Sequence, residues 1–187
     1  MKILLIRKDM PIPKDFTPQL FEVESGMFMD RCAAICMRRM IYSASLCGIK
    51  LRIISAYRSP QRQKELVEED IRINMLKGMS EQSARNKTFC TLAKPLESEH
   101  NAGLAADISG RDCKYDLSEE FEKTPEFAWL MANAWRFGYI LRYPKDKTHI
   151  TQIAFEPWHF RYVGAPHAEN ITKRKISLEE YLSYCPK

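Results

Sequence analysis

Hydrophobic and polar positions along the chain follow two periods, which predicts a mixture of strands and helices. Short runs typical of strands, either alternating or continuously apolar, occupy these stretches: Met1–Ile6, Leu51–Ser55, Leu104–Ser109, Tyr139–Arg142, Thr151–Phe155 and His159–Val163. The later strands cluster, and strands do not alternate regularly with helices. This order favours an α+β fold in which helices pack on a small antiparallel sheet.

Longer stretches with helical spacing predict helices at about Glu24–Cys47, Ser59–Lys77, Ser80–Cys90 and Thr124–Gly138, with a last short helix after Ser177. Ser25 can cap the first helix, and Gly48 is placed to end it. Ser59-Pro60 and Thr124-Pro125 each combine a capping side chain with proline at the first helical position. Ser177-Leu178-Glu179-Glu180 forms a capping box. Helical spacing predicts a core-facing stripe of Phe127, Leu130, Met131 and Ala134.

The composition is that of one globular domain covering residues 1–187, with 45% hydrophobic and 28% charged residues. The 29 basic residues are scattered among 24 acidic ones, so no basic stripe indicates a nucleic-acid partner. No run approaches the roughly 20 apolar residues of a transmembrane helix. The apolar start is too short for a signal peptide, because Arg7, Lys8 and Asp9 interrupt it. If Met1 is the native start, we expect a cytoplasmic protein.

The chain has six cysteines, namely Cys32, Cys36, Cys47, Cys90, Cys113 and Cys185. No two of them have the CxxC spacing. Cys32 and Cys36 share a helix face and could suit a metal. The favoured interpretation is that the cysteines are small apolar residues filling a core in a reducing compartment. No disulfide framework is predicted.

A first candidate for chemistry is the segment Ser98-Glu99-His100-Asn101-Ala102-Gly103-Leu104-Ala105-Ala106-Asp107. It places an imidazole and a carboxylate seven residues apart, with Gly103 suited to a turn that folds the chain back between them. His100 and Asp107 are both good ligands for an ion such as zinc. Taken alone, the pattern is weak, since any histidine near any aspartate would show it.

A second candidate is Glu156-Pro157-Trp158-His159-Phe160-Arg161-Tyr162. Pro157 cannot donate a ladder hydrogen bond, which predicts an edge or bulged entry to a strand. Such a turn can present His159 to a metal and hold Glu156 beside it as a proton acceptor. Two nitrogens and one oxygen would leave a fourth coordination position open, which is the catalytic arrangement of zinc.

Simpler interpretations remain open for these residues. His159 between aromatic residues could be a satisfied core histidine, and Glu156 a solvated charge. His149 and His167 are competing candidates for metal ligands.

A third candidate is Ser55-Ala56-Tyr57-Arg58-Ser59-Pro60-Gln61-Arg62-Gln63, where a predicted strand ends and a helix begins. Arg58 there offers a fixed pair of donors to a carboxylate or to a developing oxyanion. Alternatively, Arg58 is a surface residue that caps the turn.

The three segments together resemble the vancomycin-resistance D-alanyl-D-alanine peptidases, a zinc peptidase family that comprises the VanY carboxypeptidases, VanX dipeptidases and bifunctional VanXY enzymes. The resemblance extends from Ile3 to Tyr184, and the stretches 137–144 and 156–164 look most like VanY and VanXY. Ala56 stands where the family usually has glycine, and Val67–Glu97 matches poorly, which leaves the preference between carboxypeptidase and dipeptidase activity open.

The resemblance implies roles for individual residues. His100, Asp107 and His159 match the zinc ligands of the family, Glu156 matches its general base, and Arg58 matches the arginine that stabilises the oxyanion. The positions that match the substrate pocket or adjoin the arginine motif are Gln63, Ser98, Trp158 and Tyr57.

The implied activity is that of a zinc-dependent D,D-carboxypeptidase acting on peptidoglycan precursors that end in D-Ala-D-Ala, with the free dipeptide as a second substrate. The same machinery could instead cut an L,D-link or the L-Ala–D-Glu bond of the cell wall. From a different class, the domain could be a non-catalytic zinc-containing binding module. The presence of Glu156 beside a complete set of zinc ligands argues against a binding module, because such a module needs no general base. The sequence indicates no oligomeric state.

Overall fold

The computed structural model describes residues 3–112, 114 and 116–184. Its strands are β1 (Leu20–Glu24), β2 (Met27–Asp30), β3 (Leu51–Ser55), β4 (Ala105–Gly110), β5 (Tyr139–Leu141) and β6 (His159–Tyr162). Its α-helices are α1 (Arg31–Leu46), α2 (Pro60–Leu76), α3 (Glu81–Thr88), α4 (Pro125–Asn133), α5 (Thr148–Thr151), α6 (Ala165–Arg174) and α7 (Leu178–Tyr184). Short 3-10 turns cover Glu99–Ala102, Glu119–Lys123, Ala134–Phe137 and Lys145–Lys147.

The main sheet has four strands in the order β3-β4-β6-β5, and all of its neighbours pair antiparallel. Helices α1 and α4 pack against this sheet, and the main core contains buried residues of both, including Met37, Met40 and Leu130. The predicted α+β fold with helices on a small antiparallel sheet is therefore confirmed. Buried Ile140 and Ile171 form part of a second cluster that joins β5 to α6 and α7.

The N-terminal part of the chain differs from the prediction in two places. Ile3–Ile6 forms no strand, although Ile6 is fully buried, and Met1 lies outside the described residues. The stretch predicted as the start of the first helix is instead a β-hairpin of β1 and β2. Gly26 has a left-handed φ of 75° in its turn, a conformation that opposes a helix. Asp30, and not Ser25, caps α1 by accepting from the amide of Cys32.

Most predicted helix boundaries are confirmed by cap geometry. Ser59 and Thr124 accept from backbone amides in the first turns of α2 and α4, and proline follows each of them. Ser177 and Glu180 exchange backbone and side-chain hydrogen bonds of 2.7 and 3.2 Å, which is the predicted capping box. The helix predicted to reach Gly138 ends as α4 at Asn133 and continues as a 3-10 turn.

Three other predictions, one of a strand and two of buried residues, were wrong. Thr151–Phe155 is not a strand, since Gln152 adopts a left-handed φ of 61° after α5. Met131 is 41% exposed, while Leu130 and Ala134 of the same helical stripe are buried. The cysteines that are exposed, and so do not fill the core, are Cys32, Cys47 and Cys90; Cys113 and Cys185 lie outside the described residues.

Within the described part of the chain, no helix has the length and apolar character needed to cross a lipid bilayer.

Candidate metal centre

Three buried side chains from neighbouring elements converge at one end of the main sheet. His100 lies on the 3-10 turn Glu99–Ala102, Asp107 lies in β4, and His159 opens β6 directly opposite Asp107. His100 Nε2 lies 3.4 Å from Asp107 Oδ2, and His159 Nδ1 lies 3.3 Å from Asp107 Oδ1. One ligand atom from each residue lies within 4.8 Å of the others. The structure therefore brings together the three ligands proposed from the sequence.

The turn between the two motif ligands depends on a glycine. Gly103 has a φ of 65°, and a Cβ at this position would lie 2.7 Å from the backbone nitrogen of Asp30. The Asp30 amide donates to the Gly103 carbonyl oxygen at 2.8 Å, so the β1–β2 hairpin packs directly on this turn. This close approach leaves no space for a side chain.

The other ring nitrogen of each histidine has its own partner. His100 Nδ1 lies 2.7 Å from the carbonyl oxygen of Ala56, and His159 Nε2 lies 3.3 Å from Glu99 Oε2. A carbonyl or carboxylate oxygen can only accept a hydrogen bond. Each of these nitrogens is therefore an N–H donor, which leaves His100 Nε2 and His159 Nδ1 as the nitrogens that could bind a cation beside Asp107.

The donor set fits a divalent cation such as zinc. Asp107 Oδ1 is buried and accepts no hydrogen bond of good geometry from the described residues. Burial would raise the pKa of Asp107, but His100 and His159 outweigh burial and hold that pKa well below its ordinary value. An ionised oxygen beside two imidazole nitrogens is a ligand combination suited to zinc. Among the described residues, this is the group of His, Cys, Asp or Glu side chains close enough to share an ion, and Cys32 and Cys36 are not part of it.

Glu156 lies beside the donor set without belonging to it. Its Oε2 is 3.5 Å from His159 Nδ1, and its side chain is 13% exposed. Burial, assisted by the negative charges of Asp107 and Glu99, raises the pKa of Glu156 to about 7. The His159 amide donates to the Glu156 carbonyl oxygen at 3.1 Å, which closes the turn through Pro157. Pro157 lies in this turn at the entry to β6, as predicted, and outside the ladder; β6 itself is a central strand and not an edge strand.

Arg58 follows β3 and faces the same cavity. Its guanidinium donates to Gln63 Oε1 at 2.9 Å and to Ser55 Oγ at 3.0 Å. These two contacts use two of the five N–H groups of an arginine. Burial lowers the pKa of Arg58, while the nearby charge of Asp107 opposes that change. The guanidinium is thus held in a fixed orientation next to the donor set.

A cavity of about 580 Å³ opens over these residues. Of the remaining predicted site residues, Gln63, Ser98 and Trp158 line this cavity, while Tyr57 is half-buried and lies outside its lining. Gln63 also donates to the Ala93 carbonyl oxygen at 2.7 Å, so it connects Arg58 to another residue that lines the cavity.

The competing histidines lie elsewhere in the structure. His149 is exposed on α5, and His167 Nδ1 lies 2.8 Å from the hydroxyl of Tyr181. Neither belongs to the group of side chains that could share an ion.

Sequence reasoning missed a buried charged network beneath the site. Glu99 accepts from Arg142 Nε at 2.8 Å and from Arg161 Nη1 at 2.7 Å. Burial would raise the pKa of Glu99, but Arg161 and Arg142 hold it well below its ordinary value. Tyr143 was also missed: it lines the cavity, and its ring centroid lies 4.9 Å from that of His159. The signal for Glu99 was its place inside the His100 motif.

The sequence also matches known proteins. The VanY family, described as D-alanyl-D-alanine carboxypeptidase, matches residues 26–165. A D-alanyl-D-alanine carboxypeptidase of Enterococcus faecalis (strain ATCC 700802 / V583) is 33% identical over 181 residues, which are 97% of this chain and 65% of that protein. The chain therefore spans slightly less than two thirds of that relative's length.

Solved structures share the fold over nearly the whole chain. A mutant of the vancomycin-resistance D,D-pentapeptidase VanY from a VanB-type resistance cassette, in complex with Zn(II), matches with a TM-score of 0.85 at 33% identity, covering 95% of this chain and 97% of that one. VanYB in complex with D-Alanine-D-Alanine matches with a TM-score of 0.87 at 32% identity, covering 97% of each chain.

Proposed function

Because the chain belongs to the VanY family of D-alanyl-D-alanine carboxypeptidases, we propose that it is a zinc-dependent D,D-carboxypeptidase. Its proposed substrates are peptidoglycan precursor peptides that end in D-Ala-D-Ala, from which it removes the terminal D-Ala. The observation that carries the proposal is the buried donor set of His100, Asp107 and His159, with the Glu156 carboxylate only 3.5 Å from His159.

His100, Asp107 and His159 would hold the zinc ion. When bound in a site with an open position, zinc supplies Lewis acidity and lowers the pKa of a coordinated water. The orphaned oxygen of Asp107 and the two inward-facing imidazole nitrogens support this assignment.

We assign proton transfer to Glu156. Its carboxylate accepts a proton from the attacking water as the water oxygen bonds to the carbonyl carbon of the penultimate D-Ala. Glu156 then gives the proton to the nitrogen of the terminal D-Ala as the C–N bond breaks. A partly buried carboxylate at the rim of the donor set can reach both atoms in turn, and no covalent intermediate with the protein is needed.

We assign stabilisation of the oxyanion to Arg58. The contacts to Gln63 and Ser55 fix its orientation before substrate arrives, so no reorganisation is needed when negative charge develops on the carbonyl oxygen. Gln63, Ser98 and Trp158 are the proposed walls of the substrate pocket. Tyr57 has a backbone role in the structure, because its amide donates to the carbonyl oxygen of Phe28 at 2.7 Å.

Arg58→Lys is expected to lower kcat by about 10²-fold with little change in KM. An ammonium cannot reproduce the two-pronged donor that Arg58 presents. Steady-state kinetics on a pentapeptide ending in D-Ala-D-Ala measures the effect. Arg62→Lys is the matched control, because Arg62 is exposed and pairs with Glu65 on the surface of α2. A raised KM with unchanged kcat would instead place Arg58 on the terminal carboxylate of the substrate.

We further propose that precursor pentapeptide is preferred to the free dipeptide. The cavity reaches beyond the donor set, along α2 to Glu69 and Ile73 and to Leu117. A longer peptide can use this additional surface. Glu69 contributes a carboxylate that the amino group of a dipeptide could approach, which supports the dipeptide as a second, slower substrate.

The expected result is a higher kcat/KM for pentapeptide than for D-Ala-D-Ala when released D-Ala is measured by chromatography. A tetrapeptide ending in an L,D-bond and a peptide with an L-Ala–D-Glu bond test the alternative cell-wall cleavages. Dipeptide activity without action on the pentapeptide would reverse the proposed preference. Absence of hydrolysis of all these substrates by zinc-loaded protein would favour the non-catalytic binding module.

We also propose a cytoplasmic location, where the soluble precursors are made. The cysteine side chains support this location. Cys32, Cys47 and Cys90 are free and exposed. Exposed thiols persist in a reducing compartment. Export of the native gene product, found by cell fractionation, would contradict this location.

A further inference from the structure

The carboxylate of Glu99 is buried directly behind the metal centre, and the reaction proposed above does not use it. Its side chain is 1% exposed and lies on the turn next to His100. Oε2 points to His159 Nε2 at 3.3 Å, while Oε1 receives both arginines, Arg142 at 2.8 Å and Arg161 at 2.7 Å. A charge buried this deeply is costly unless it is paired on every side.

The two arginines that contact Glu99 also bind residues that are distant from them in the sequence. Arg142 donates to both carboxylate oxygens of Glu179 on α7, at 3.0 and 2.6 Å. Arg161 donates from Nη2 to the carbonyl oxygen of Leu4 at 2.7 Å. The position of Oε2 is therefore fixed by contacts from α7 and from the N-terminal segment, and not by the His100 turn alone.

The position of the Glu99 carboxylate gives the two nitrogens of His159 different roles. Its Oε2 lies 3.3 Å from His159 Nε2 and accepts a hydrogen bond from it. His159 Nδ1 faces the other way, toward Asp107 Oδ1 at 3.3 Å, where an ion bound by Asp107 would lie. His100 has the opposite arrangement, because the carbonyl oxygen of Ala56 lies against its Nδ1.

We propose that Glu99 is a positioning residue of the metal centre: it keeps the proton of His159 on Nε2 and thereby presents Nδ1 to the ion. The inference rests on the proposed metal site. Glu99 lies outside the proposed donor set, and it acts through its contact with His159. The two histidines would thus bind through different nitrogens, Nε2 of His100 and Nδ1 of His159.

Long-range proton–nitrogen NMR of zinc-loaded protein with ¹⁵N-labelled histidine tests the assignment in the wild-type chain. We expect the metal-bound nitrogen of His159 to be Nδ1 and its protonated nitrogen to be Nε2, with the reverse for His100. His149→Gln and His167→Gln identify the signals of the remaining histidines. Zinc bound through Nε2 of His159 would overturn this inference and leave the proposed function standing. A chain that binds no zinc would overturn both.

Glu99→Gln gives a second test. The two arginines require the amide oxygen on their side, so the amide NH₂ would face His159 Nε2 and donate to it. The variant therefore favours a proton on Nδ1 of His159, the nitrogen proposed to bind the ion. We expect zinc affinity to fall by about 10- to 100-fold, measured by competition with a chromophoric chelator.

Glu179→Gln is the matched control, because it weakens the same buried network at Arg142 and leaves the Glu99–His159 contact in place. Its zinc affinity should stay within about threefold of wild type, even if its Tm falls. Equal losses of zinc affinity in both variants, or wild-type affinity in Glu99→Gln, would show that Glu99 contributes only to stability. The NMR measurement on the wild-type chain decides the question if Glu99→Gln does not fold.

Discussion

Glu156→Gln is expected to retain zinc and substrate binding and to lose roughly 10²- to 10⁴-fold in kcat. The amide is nearly isosteric with the carboxylate, so packing in the turn before β6 is preserved. What the amide lacks is the ability to accept a proton from water and return it to the leaving nitrogen. The loss should therefore appear in kcat for the pentapeptide, with KM close to that of the wild type.

The control for this experiment is Glu169→Gln, which removes a surface carboxylate from α6, where Glu169 pairs with Lys173. It should leave both kinetic constants unchanged. Zinc content and Tm of Glu156→Gln are measured in parallel. Near wild-type turnover by that variant would show that another group transfers the proton.

Removal of the metal ligand His159 is expected to abolish activity. The wild-type protein should contain about one zinc per chain, and a strong chelator should eliminate hydrolysis until zinc is added back. His159→Ala removes one of three donors and should bind zinc too weakly to retain it during gel filtration. Elemental analysis after that step measures the effect directly.

The same variant should also be less stable without metal. In the metal-free site, burial would lower the pKa of His159, but the contacts with Asp107 and Glu99 raise it to about 9, so the protonated ring compensates two buried carboxylates. Loss of the ring leaves those charges partly uncompensated, and soluble yield and Tm should fall. His149→Ala is the control, because His149 is exposed and lies away from the donor set. A full zinc complement in His159→Ala would exclude His159 as a ligand.

The parts of the fold that the sequence predicted correctly are those governed by neighbouring residues. Ser59-Pro60 and Thr124-Pro125 begin helices because cap and proline act within one turn. The convergence of His100 with Asp107 was also local, since Gly103 reverses the chain between them. His159 was proposed beside them from its own motif, and the family resemblance strengthened that proposal, because the pairing of His159 opposite Asp107 is a long-range contact.

The parts that were missed depend on contacts between distant residues. Glu24–Asp30 has apolar residues at spacings compatible with a helix, but the packing of this stretch against the Gly103 turn selects a hairpin. Its place beside His100 marks Glu99 as part of a motif, but the neighbouring residues do not show that its carboxylate is buried. Its partners Arg142 and Arg161 lie 43 and 62 residues away, so only the folded chain identifies it.

The pairing of Asp107 with His159 across two central strands has a consequence for changes in chain length. Successive side chains of a strand point to opposite faces of the sheet. Insertion or deletion of a single residue in β4 or β6 would move one ligand to the other face and separate it from its partner. Homologous chains can therefore be expected to vary in length within surface loops, while the stretches Ala105–Gly110 and His159–Tyr162 align without gaps.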